Sequence, residues 1–157
     1  MRSSLFTRAV YLIALVAFCD QISKWWIVNV AMRPPHVIMV APFLNFALVW
    51  NKGVTFGLLN RIDHGYMPYI LIGMGLVIVL LLGRWLLRTT SGLVAFALAG
   101  IMGGAISNII DRFRYGAVVD FLDFYYHGYH WYTFNIADAA IVTGVCLLLL
   151  DSFIRGR

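Results

Sequence analysis

Four long apolar stretches constrain this chain more than any other feature. They run over approximately 8–30, 66–87, 92–111 and 135–150, each close to the about 20 residues that a helix needs to cross a bilayer. The chain is 62% hydrophobic and only 12% charged, roughly half the ~25% of an ordinary soluble domain. A water-soluble core of this length could not hide so much apolar surface, so lipid is the expected solvent. The reading is one integral membrane domain over 1–157: an all-α membrane protein with four transmembrane helices and a small extracytoplasmic β-sheet region.

The N-terminus has the outline of a signal peptide, with Arg2 and Arg8 ahead of an apolar run from Ala9 to Cys19. No A-x-A site follows, bulky Phe18 precedes Cys19 where a lipid-attachment site needs a small residue, and the apolar character continues through Val28. An uncleaved spanning helix is expected. Cys19 and Cys146 lie in apolar runs and read as small hydrophobes.

The connections differ in kind. A short link near Arg84 and Arg88 joins the second and third spans. The region of approximately 32–65 carries Pro34, Pro35 and Pro42, then Phe43 to Trp50, the turn Asn51-Lys52-Gly53, and Val54 to Leu59. Branched and aromatic runs about an Asn/Gly turn predict hairpin strands. The connection from Arg112 to Thr133 is rich in Tyr, Phe and Trp, rings that favour the membrane interface.

Four spans put both termini on one side. Of twelve Lys and Arg, half (Arg2, Arg8, Arg84, Arg88, Arg155 and Arg157) fall there, so the raw count does not orient the chain. The short flanks weigh most in the positive-inside rule and predict cytoplasmic termini with both long loops outside. The basic residues form no stripe, so nucleic acid is not an expected partner.

All seven acids are Asp. An ionisable group inside a span is costly and marks a functional candidate. Asp20 and Lys24 are four apart on one helical face, in the favourable order for an ion pair. Gly100, Gly104 and Asn108 recur every four residues, as do Gly103, Ser107 and Asp111, giving the third span a stripe of small and polar side chains suited to close packing. Asp111 lies near a helix C-terminus, where the dipole disfavours its charge, and needs a cation such as neighbouring Arg112. Asn135 and Asp138 have the spacing of an N-cap and its third helical residue. A carboxylate in a first helical turn is favoured as the anion, so a second carboxylate beside Asp138 would have to hold a proton. That is the arrangement of an aspartic protease. Asp111, Asp120 and Asp123 are the candidates for that second carboxylate, and spacing does not choose among them. Val118-Val119-Asp120-Phe121 embeds one of them among apolar residues.

Other chemistries compete. Asp123, His127 and His130 could form a metal set, but no HExxH accompanies them. A Ser-Lys pair would need Ser23 and Lys24 to share a face, or Ser107 to meet Lys24. A small transporter would also carry intramembrane Asp and Lys, but no repeat relates two halves of the chain.

Taken in order, five blocks carry a resemblance: Asp20-Gln21-Ile22-Ser23-Lys24; Asn51-Lys52-Gly53-Val54-Thr55-Phe56; Gly103-Gly104 with Asn108, Asp111 and Arg112; Val118-Val119-Asp120-Phe121; and Phe134-Asn135-Ile136-Ala137-Asp138. Over nearly its whole length the chain resembles the bacterial lipoprotein signal peptidase family, signal peptidase II. The resemblance implies a four-helix aspartic endopeptidase of the bacterial plasma membrane with its active site toward the outer face. It implies cleavage of prolipoproteins just before a cysteine that already carries a diacylglyceryl group. Asp120 and Asp138 would be the catalytic pair. Asn108, Asp111, Arg112, Asn135, Asn51, Gly53, Asp20 and Lys24 would bind substrate or support the pair. The first outer region would form a small sheet lying on the membrane that helps hold the lipidated substrate. No metal or organic cofactor is implied, the partners would be the prolipoprotein and membrane phospholipid, a monomer is expected, and globomycin inhibits the family. Ser107, where Gly often precedes the Asn, and Thr55, where a smaller residue is common, depart from the family pattern without touching the pair.

Overall fold

The computed structural model describes residues 2–53 and 65–155. Its frame is four apolar helices long enough to span a bilayer. Helix α1 covers Arg2–Trp26 and continues as a π-helical turn over Ile27–Ala31; α2 covers Met67–Arg88, α3 Gly92–Tyr115 and α4 Ile136–Arg155. Each span falls where its apolar stretch predicts, but α1, α3 and α4 run longer. α1 starts earlier than residue 8 because Leu5 packs with Leu12 against the cluster of Ala9, Leu86, Val94 and Leu98. α3 runs past Asp111 because Arg112 and Arg114 suit the negative end of its dipole, and it stops at Gly116, a left-handed cap at φ 69°.

α3 is the central helix, and each of the other three spans packs on it. Its small-residue stripe explains why. A Cβ on Gly103 would press Val16 and the Ile13 carbonyl of α1, and one on Gly104 would strike the Ala137 carbonyl of α4. Two glycines in succession thus let two helices approach α3 from different sides. At one end of the bundle, Ser91 caps α3 through Val94 N–H and accepts from Arg155 Nη2 at 2.7 Å. The end of α4 lies there, as does the start of α1, whose Leu5 packs against the cluster of Val94 and Leu98. At the other, Asp20 of α1 meets the first turn of α4.

Above that second end sits an antiparallel sheet of four strands in the order β1 (Ile38–Ala41), β2 (Leu44–Asn51), β3 (Val118–Tyr126) and β4 (Tyr129–His130). Here the sequence reading needs two corrections. The hairpin in the first long loop turns at Pro42-Phe43, between β1 and β2, and the neighbours of β2 in the sheet are β1 and β3. Val54 to Leu59, expected as its partner strand, lies outside the described residues, as do Thr55, Phe56, Asp63 and His64. The second correction is that the sheet draws half its strands from the second loop. The sequence reading makes Val118 to Phe121 an apolar setting for Asp120 and the rings beyond it interfacial, yet branched and aromatic side chains are also the best strand formers. His127 (φ 46°) and Gly128 (φ 82°) supply the pair of positive φ angles that a two-residue hairpin requires. The register pairs Asn45 with Asp123, Val49 with Asp120 and Asn51 with Val118. Phe121 packs with Ile27 and Met32, so the sheet is seated on the end of α1.

Candidate active site

The site is built on a buried cation. Lys24 is 2% exposed and Asp20 and Asp111 are each 0% exposed. An ammonium has three hydrogens, and Lys24 Nζ has three partners: Asp20 Oδ2 at 2.6 Å, Asp111 Oδ2 at 2.7 Å and Asn108 Oδ1 at 2.9 Å. The carboxylates are satisfied as fully. Asp20 also accepts from Ser107 Oγ at 2.7 Å and Ala137 N–H at 2.8 Å. Asp111 also accepts from Gln21 Nε2 at 2.7 Å and Val119 N–H at 3.1 Å. This one cluster ties α1, α3, the start of β3 and the first turn of α4 together. The cation that Asp111 needs is therefore Lys24 and not neighbouring Arg112, whose Nη1 turns back to the Asn108 carbonyl at 3.2 Å.

Asn108 carries the order of this cluster outward. Because its Oδ1 faces Lys24, its Nδ2 must face the other way, and it donates to Asp138 Oδ1 at 2.8 Å. Asn135 does the same for two groups. Its Oδ1 accepts from Asp138 N–H at 2.9 Å, while Asp138 Oδ2 accepts from Asn135 N–H at 3.3 Å. That reciprocal pair is the capping box expected from the spacing. The cap fixes the amide so that Nδ2 points away from the helix, where it donates to Asp120 Oδ1 at 2.6 Å and to Asn108 Oδ1 at 3.3 Å. Asp120 Oδ2 accepts from Asn51 Nδ2 at 2.9 Å. Asn51 is oriented in turn by Gly53 N–H, which donates to its Oδ1 at 2.8 Å and closes a tight turn after β2.

Asp120 and Asp138 are thus linked through Asn135 and held by neutral amides, and neither has an ion pair among the described residues. The three candidates for the second carboxylate differ in this respect. Asp111 is committed to Lys24. Asp123, 6% exposed, is committed to His130 Nδ1 at 2.9 Å and Asn45 Nδ2 at 3.2 Å on the neighbouring strands. Asp120 has no such commitment, and burial pushes its carboxyl up to about 6, with the hydrogen bond from Asn51 opposing and the charge of Asp138 adding to the rise. Asp120 also lines a cavity of about 500 Å³ with Trp50, Asn51, Lys52, Trp131 and Thr133. The buried Nε of Arg112 lacks a hydrogen-bond partner.

All ten residues singled out in the sequence therefore fall in or against one hydrogen-bonded assembly. His127, which the sequence allows as a third member of a metal set with Asp123 and His130, packs edge-on against Tyr126. The sequence reading missed Gln21, which holds Asp111, and Asn45, which holds Asp123. A polar amide inside or beside an apolar run was the available signal for both.

Comparison with known proteins decides the family. The model described as Signal peptidase (SPase) II matches residues 12–154. The chain belongs to the signal peptidase II family. It is 44% identical over 146 residues to a lipoprotein signal peptidase of Methylorubrum extorquens, covering 90% of this chain and 84% of that protein. The corresponding protein of Methylocella silvestris is 43% identical over 148 residues, covering 92% of this chain and 84% of that one. A solved bacterial membrane enzyme superposes with a TM-score of 0.80 at 26% identity, covering 92% of each chain. A second gives 0.78 at 27% identity, covering 94% of this chain and 90% of that one. Membership of signal peptidase II makes this chain a membrane-embedded aspartic peptidase, and the helical fold with its small sheet is common to the solved enzymes.

Proposed function

We propose that this enzyme removes the signal peptide from diacylglyceryl-modified prolipoproteins, cutting just before the lipid-modified cysteine, with Asp120 and Asp138 as the catalytic pair. The observation that carries the assignment is the bridge through Asn135. It joins two carboxyl groups that have no ion pair among the described residues, and one of them, Asp120, lines a cavity.

The pair shares one proton, and its titration belongs to both groups together. Asp138, in the first turn of α4, lies at the positive end of the helix dipole and carries the negative charge. Asp120 carries the proton. Asp138 takes a proton from a water held between the two, and the water oxygen attacks the scissile carbonyl carbon. Asp120 hydrogen-bonds and then protonates the developing oxyanion. When the C–N bond breaks, the proton on Asp138 passes to the cysteine nitrogen, and the new carboxyl group returns a proton to Asp120. Arg112, one turn after Asn108 on α3, is the cation placed to meet the substrate backbone. Lys24, Asp20 and Asp111 touch no reacting atom and act by fixing Asn108.

The enzyme lies in the bacterial plasma membrane with both termini cytoplasmic and the site toward the outer face. Arg8, Arg84, Arg88 and Arg155 at the termini end support that orientation. The site draws every named group from one chain, which supports action as a monomer, and the apolar faces of the spans support direct contact with phospholipid.

The test is cleavage of two synthetic prolipoproteins by purified enzyme, identical except that one cysteine carries diacylglycerol. The expected product begins at the lipidated cysteine, and the unmodified peptide stays intact. Equal cleavage of both, or a product beginning elsewhere, overturns the substrate assignment.

A further inference from the structure

The mechanism uses only one end of the bundle. At the other end, a cavity of about 360 Å³ runs between α1 and α3, with Arg8, Leu12 and Phe96 among its walls. A second cavity, of about 270 Å³, lies between α1, α3 and α4 and is also walled by Leu12 and Phe96. The two adjoin at these residues, end to end along α1, and are taken together as one groove. Its floor is Phe96 and Gly100 of α3, and its far wall is Ala140 and Thr143 of α4. On α1 it extends from Leu5 to Val16, about 16 Å at helical rise, which matches one leaflet of a hydrocarbon core roughly 30 Å thick.

Charge sets the identity of the occupant. The groove is apolar along its length and has one cation in its wall, at the end where the termini lie. Arg8 is exposed and has no ion pair among the described residues. The nearby Arg155 is already held by Asp151 at 2.9 Å and by Ser91. Asp151 is the single acid at this end among the described residues, so the mouth is positive and unneutralised. A chain-shaped apolar trough of one-leaflet length, with a free guanidinium at its headgroup end, fits a lipid of opposite charge.

We propose that this groove is a binding site for an anionic glycerophospholipid, with one acyl chain along Leu12, Phe96 and Gly100 and the phosphate on Arg8. The inference rests on the membrane placement of the helices and not on the peptidase chemistry. The lipid sits on the face of α3 that positions α1 against α4, and so braces the helices that carry Asp20 and Asp138.

The test uses the full chain in detergent, measured by native mass spectrometry with a phosphatidylglycerol and a phosphatidylcholine of identical acyl chains. Wild-type protein should retain the phosphatidylglycerol preferentially. Arg8→Gln should lower that preference roughly fivefold, the weight of one interfacial cation, while Arg8→Lys preserves it. Thr143→Phe, which fills the groove from an exposed position, should lower retention of both lipids. Equal retention of the two lipids by wild type overturns the proposal, as does a preference unchanged in Arg8→Gln, or a groove occupied by a second copy of the chain and released as monomer by Thr143→Phe. Lipid retention is read without substrate, so its outcome is separate from that of the cleavage assay.

Discussion

Lys24 shows how a single residue can be indispensable without touching the chemistry. Its three hydrogen bonds fix two carboxylates and one amide, and that amide sets the position of Asp138. Removing the cation leaves Asp20 and Asp111 buried with an uncompensated charge, a loss of about 3–5 kcal/mol. Lys24→Met should therefore melt well below wild type in a thermal-shift assay and lose cleavage. An unchanged melting temperature would contradict the account of the cluster. Asp120 gives a second test at this scale. Its folded-state pKa is raised to about 6 by burial. A raised carboxyl contributes stability that is complete below the unfolded value of about 4 and is lost as pH rises through about 6. The melting temperature of wild type relative to Asp120→Asn should accordingly fall between pH 4 and pH 8. A difference that is flat with pH would show that Asp120 is not held neutral by its surroundings.

At the scale of elements, α3 acts as the keel. Gly104 has no room for a side chain because the Ala137 carbonyl lies against it, one residue before Asp138. Gly104→Val should destabilise the bundle by about 1–3 kcal/mol through overpacking, and it should lower kcat more than it raises KM, because the shift reaches Asp138 directly. The helices and this stripe were legible in the sequence, since span length and small-residue spacing are properties of one continuous segment. The capping box was legible for the same reason: Asn135 and Asp138 are three apart in the chain. What was not legible is what depends on contacts between distant segments. Lys24 and Asp111 find each other only once α1 lies on α3, so sequence alone offers the nearer Arg112 as a candidate cation. β3 was hidden because the same tyrosines and phenylalanines that suit a membrane interface also suit a strand, and its partner β2 is remote in sequence.

At the scale of the whole molecule, the design is polar at one end of an otherwise apolar bundle. The site, the sheet and the exposed rings of Tyr126, Tyr129 and Trp131 lie together at one end, and the start of α1 and the end of α4 lie at the other with Arg8, Arg84 and Arg88. If that polarity sets orientation, Met39→Cys, exposed on β1, should react with a membrane-impermeant thiol reagent added outside intact cells, whereas a cysteine placed at Arg155 should not. The reverse pattern would invert the proposed topology. The proposed catalysis rests on the two carboxyl groups bridged by Asn135, where sequence spacing leaves three partners open for Asp138. The most direct measurement is the rate of cleavage of a diacylglyceryl-modified prolipoprotein by purified wild type, Asp120→Asn and Asp138→Asn, each checked for an intact fold by its melting curve. The account predicts that each substitution lowers the rate by about 10²-fold or more, while Asp123→Asn retains much of it; full activity in either Asp120→Asn or Asp138→Asn would contradict it.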